Sequence, residues 1–128
     1  MPLIYQEHIT RQDLQANPDR YYVFGDNVER RGYGGQAAAM RGEPNAIGIP
    51  TKWFPKMTPK AFFWDHQQPQ IIPLIEPVYT RIIGLLQAGS TVVWPSAGIG
   101  SGLSRLPVYA PDLWAEMERI RTDILEPL

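Results

Sequence analysis

The chain has 128 residues, 44% of them hydrophobic, which suits a single compact domain over 1–128. Twelve Lys and Arg against thirteen Asp and Glu leave a net charge of −1, so no global basic field draws it to nucleic acid, and any such contact would have to be local. It contains no cysteine, which removes disulfides, thiol catalysis and zinc–thiolate sites, and no leader pattern or apolar run near the ~20 residues of a membrane span is present. The expectation is a cytoplasmic monomer without membrane association.

In chain order, Leu3-Ile4-Tyr5 reads as a short strand, and Thr10 as the N-cap of a helix to about Ala16, ended by Asn17-Pro18. Tyr21 to Phe24 is apolar throughout, as a central strand covered on both sides would be. The Ala-rich run from Gly35 to Arg41 opens a helix closed by Gly42 and Pro44. Ala46 to Pro50 is another buried strand, running into Thr51-Lys52. From Trp53 to Gln70, Pro55, Pro59 and Pro69 alternate with aromatic residues, which predicts a structured loop or small hairpin. Helical spacing of apolar residues runs from Ile72 to Ala88, with Pro73 in its first turn, Pro77 bending it and Gly89 as its stop. Thr91 to Pro95 is the last strand. A closing helix over 107–126 carries Leu113, Met117, Ile120 and Ile124 on one face.

Two glycine-rich stretches each follow a strand and lead into a helix: Gly25-Asp26-Asn27 running to Gly32-Tyr33-Gly34-Gly35-Gln36, and Pro95-Ser96-Ala97-Gly98-Ile99-Gly100-Ser101-Gly102-Leu103. Glycine lets backbone N–H groups approach a ligand closely, so such a pair suggests a cradle for phosphates, and a diphosphate between two sugars would suit it. An alternating, mostly parallel α/β chain places ligands at the carboxyl ends of its strands, where both loops and Lys52 fall. Neither loop has the ending of a P-loop or the dinucleotide fingerprint.

Phe24-Gly25-Asp26-Asn27, Gly34-Gly35-Gln36-Ala37, Ile49-Pro50-Thr51-Lys52 and Pro95-x-x-Gly98-x-Gly100-x-Gly102-Leu103 together resemble the macrodomain superfamily, the binders and hydrolases of ADP-ribose. The closest branch by motif is that of terminal ADP-ribose glycohydrolases and of antitoxins that remove ADP-ribose from DNA. The resemblance implies a three-layer α/β/α fold with a mixed, mostly parallel sheet. It implies ADP-ribose or an ADP-ribosylated macromolecule as partner, and neither cofactor nor metal. On that likeness Asn27, Gly34, Gly35 and Gln36 would meet the distal ribose and diphosphate, with Thr51 beside them. Ser96 and the run Gly98, Ile99, Gly100, Ser101, Gly102 and Leu103 would wrap the other side. Lys52 would attack the anomeric carbon, which requires a neutral amine. Ser104 stands where that branch can carry an acid/base carboxylate, which leaves this role to Asp26 or to the substrate. Glu7-His8-Ile9-Thr10 lacks the aspartate that many macrodomains offer to adenine.

Other residues have plainer readings beside the functional one. Lys52, apart from the resemblance, reads as an exposed lysine paired with a carboxylate. Trp53 and Phe54 either stack on a base or ribose or pack on the core. Arg30-Arg31 either touch phosphate or form a solvated turn, and Arg41 meets the helix dipole. His8 and His66 stand too far apart to suggest a metal pair. Trp114 and Met117 belong to the core face of the last helix.

Overall fold

A computed structural model describes residues 3–128. Four strands, β1 (Leu3–Gln6), β2 (Arg20–Asn27), β3 (Ala46–Lys52) and β4 (Thr91–Pro95), form one sheet in the order β1-β4-β2-β3. All pair in parallel, with Tyr5 opposite Trp94, Tyr22 opposite Val93 and Phe24 opposite Gly48. The expected mixed sheet is thus parallel in its named strands. The one antiparallel pairing among the described residues is an isolated bridge between Lys52 and Phe62.

Alternation along the central strands sends side chains to two cores. Val23, Ile47, Ile49, Val92 and Trp94 join one, with α3 (Gln68–Gln87) and α5 (Pro111–Ile120) supplying Ile71, Ile75, Ile82, Leu113 and Met117. Tyr22, Phe24 and Val93 join the other, with Leu14 of α1 (Arg11–Ala16) and Ala37 and Met40 of α2 (Ala37–Met40). Continuous apolar strands follow from this covering on both faces. Thr10 caps α1 in a capping box, its hydroxyl receiving the Asp13 N–H while Asp13 receives the Thr10 N–H.

Two elements depart from the sequence pattern. α3 starts at Gln68 and carries both Pro73 and Pro77 in its interior. Pro69, Pro73 and Pro77 lie four apart on the exposed side, so the carbonyls that lose a partner face water while the buried Ile71-Ile75-Tyr79 row holds the helix. The expected closing helix is broken into a short turn, α4 (Leu106–Tyr109), then α5, then a π-turn over Arg121–Leu125. The wider turn adds a residue and rotates the buried face by one position. Leu125 is fully buried and Ile124 exposed, reversing the expected placement of Ile124.

No helix among the described residues is long and apolar enough to cross a membrane.

Candidate functional site

Because β2, β3 and β4 run parallel, the segments leaving their carboxyl ends gather on one edge of the sheet. Two adjoining cavities open there, of about 390 and 330 Å³, sharing Gly25, Gly34, Leu103 and Ser104. The larger is lined by Asp26, Asn27, Arg31, Arg41 and Lys52; the smaller lies between Gly34-Gly35-Gln36 and Gly98, Gly100 and Gly102.

The two glycine loops are tied to each other. Gln36 receives the Gly25 N–H at 2.8 Å and donates to the Gly98 carbonyl at 3.0 Å, so one carboxamide spans the smaller cavity's floor. Leu103 reaches back across: a Cβ placed on Gly34 or Gly35 would lie 3.5 Å from its Cδ1. Gly98 and Gly100 have φ of 92° and 86°, conformations that disfavour side chains. Gly100 is further constrained by the core, since a Cβ there would meet Leu106 Cδ1 at 2.4 Å.

Lys52 is 7% exposed and borders the larger cavity. Its Nζ lies 3.4 Å from the Met57 thioether and 5.2 Å from the centroid of the Phe62 ring, and no carboxylate within the described residues pairs with it. Burial lowers its pKa from the ordinary lysine value, since a charged amine loses hydration there. Of the two readings left open by sequence, the exposed, carboxylate-paired lysine is not met: the side chain is buried and has no carboxylate partner among the described residues. Its backbone is held by the Val28 N–H donating to Lys52 O at 2.9 Å and by the bridge to Phe62.

Asp26 occupies a different position from a free acid/base. It is buried, accepts from Arg30 at 3.1 Å, contacts the Arg41 guanidinium with both oxygens, and caps the Asn27 N–H at 2.8 Å. Arg41 also donates to the Gly32 carbonyl at 2.6 Å, so it locks the first loop to β2, a role beyond the helix dipole. Arg30 joins in by donating to the Gly48 carbonyl, and a Cβ on Gly48 would come within 2.6 Å of the Asp26 carboxylate. A carboxylate within an apolar strand needs a nearby cation, which was the available signal for Arg41, and the bare Gly48 leaves room for the Asp26 carboxylate and the Arg30 guanidinium.

Asn27 holds the Arg31 carbonyl at 2.8 Å and shapes the turn. Thr51 is buried beneath the site and lines neither cavity; its hydroxyl donates to the Asp26 carbonyl at 3.0 Å and touches the Ser104 hydroxyl. Trp53 also lines neither cavity. Its indole donates to Gln67 at 3.0 Å and its ring packs edge-on against Phe63 at 4.9 Å, which assigns it to the core side of the choice left open by sequence. Ile99 is buried and anchors the late loop, while Ser96 and Ser101 face a recess of about 270 Å³ on the loop's far side. Sequence reasoning passed over Tyr33, Pro55 and Met57. Tyr33, Met57 and Leu103, 67%, 50% and 54% exposed, make an apolar rim on the larger cavity. No cluster of metal-ligating side chains occurs among the described residues.

No curated protein and no solved structure matches the chain. A family match covers residues 4–120, and the chain therefore belongs to the family described as a family of unknown function (DUF7831).

Proposed function

We propose that the protein is a three-layer, macrodomain-like binder of ADP-ribose that removes ADP-ribose from a modified macromolecule, DNA or protein, through Lys52. The observation that carries this reading is the buried Lys52 amine, without a carboxylate partner, bordering a cavity continuous with the cleft between the two glycine loops. The diphosphate lies against the loops and the distal ribose beside Lys52. The neutral amine bonds to the anomeric carbon as the bond to the macromolecule breaks, and the amine's surplus proton passes to the departing atom. Water then releases the sugar and restores the amine. Arg30 and Arg41 together carry one more charge than Asp26 cancels, and this surplus, with Arg31 on the cavity wall, supplies positive charge for the phosphates while Lys52 stays neutral.

A second reading, binding without turnover, is favoured by one observation. Asp26 is the single carboxylate lining either cavity among the described residues, and it is committed to Arg30 and Arg41. Incubation with ADP-ribosylated DNA and ADP-ribosylated protein, beside calorimetry with free ADP-ribose, separates the readings. Release of ADP-ribose by wild type and not by Lys52→Ala supports hydrolysis. Binding without release supports the second reading, and absence of both removes ADP-ribose from the account.

A further inference from the structure

We infer that Ser104 is the residue that selects a sugar hydroxyl in this cleft, accepting a hydrogen bond from the ribose where the two cavities join. The inference rests on the ADP-ribose reading above and adds a specificity determinant to it.

The argument is an accounting of two protons. The Thr51 hydroxyl lies 3.0 Å from the Asp26 carbonyl oxygen, which can only accept, so Thr51 gives its single proton there. Thr51 is 1% exposed and has no solvent to turn to. Its hydroxyl also contacts the Ser104 hydroxyl, and with the Thr51 proton already used, Ser104 must be the donor of that pair. Both protons are then committed inward. What Ser104 presents to the cavities it lines is a lone pair.

Its surroundings give that lone pair meaning. Lys52, Arg41 and Arg31 around the larger cavity are donors, and Asp26 is already occupied by two arginines. A phosphate oxygen, with no proton to give at neutral pH, is attracted by the cations and repelled by Ser104. A hydroxyl satisfies Ser104 and is indifferent to the cations. Ser104 thus sets where along the cleft a sugar replaces a phosphate.

Calorimetry with ADP-ribose and with ADP, which lacks the distal ribose, tests this. Wild type should bind ADP-ribose more tightly, and Ser104→Ala should weaken ADP-ribose about five- to tenfold while leaving ADP within about twofold. Thermal melting accompanies each titration. If the alanine variant fails to fold, Ser104→Cys, of similar shape and with a much weaker acceptor, takes its place with the same expectation. Equal weakening of both ligands, or no weakening of ADP-ribose, overturns the role of Ser104 and leaves the ADP-ribose reading standing. A wild-type protein that binds neither ligand overturns both.

Discussion

Arg41 closes on both carboxylate oxygens of Asp26, joining the residue after α2 to the end of β2 beneath the larger cavity. The pair is nearly enclosed, with Asp26 3% and Arg41 14% exposed at their side chains. Such a contact is structural in its consequences whatever chemistry takes place above it.

Asp26→Asn should therefore lower folding stability by about 3 kcal/mol, because it leaves Arg41 without its counter-charge in a poorly solvated place. Denaturant unfolding with an unchanged slope measures it. A variant that keeps wild-type stability and loses only turnover would make Asp26 a free acid/base and refute the clamp.

Lys52 gives a pH signature. Its folded pKa is lowered by burial from the ordinary 10.5, so between the lowered value and 10.5 the unfolded chain binds more protons than the folded one. Stability accordingly rises with pH through that window and levels off above it. Lys52→Met should abolish this slope and raise stability at neutral pH by about 1 kcal/mol while removing turnover. Unfolding curves at a series of pH values check the sign; a slope that survives the substitution belongs to another group.

The late loop offers a paired comparison. A Cβ at Gly102 meets nothing within 4 Å, whereas one at Gly100 collides with Leu106. Gly102→Val should leave melting nearly unchanged and weaken ADP-ribose by about 1–3 kcal/mol through blocked approach. Gly100→Val should be destabilising in the absence of any ligand. Equal affinity of Gly102→Val and wild type would take the smaller cavity out of the binding site.

The π-turn predicts an exchange of roles at neighbouring positions. Leu125→Ala should cost about 2–4 kcal/mol. Ile124→Ala, at a residue 37% exposed, should cost well under half as much. Thermal melts of the two variants decide, and the reverse order would restore an unbroken helix to the C-terminal end.

Local chemistry made much of this legible. Thr10 as an N-cap marked the start of α1, and apolar runs bounded by Gly and Pro located β2, β3 and β4. What stayed hidden depends on contacts distant in sequence. Trp53 reads equally as a stacking platform or a core residue until Phe63 and Gln67 are beside it. Arg41 reads as a cation meeting a helix dipole until Asp26 is found 15 positions away. The prolines of α3 suggested a later start because each was weighed singly, although their spacing of four puts all three on one face, away from the buried Ile71-Ile75-Tyr79 row. The three segments that border the cleft were visible; the arginine clamp beneath it was not.

Gln36 carries a consequence for how the cleft fills. Its amide holds Gly25 on one side and the Gly98 carbonyl on the other, so the gap between the loops is set by the length of a single side chain. A jaw braced in this way is already at working width before anything enters. Association should proceed in one concentration-dependent phase without a slow closing step, and a small loss of chain freedom on binding leaves more of the contact energy as affinity.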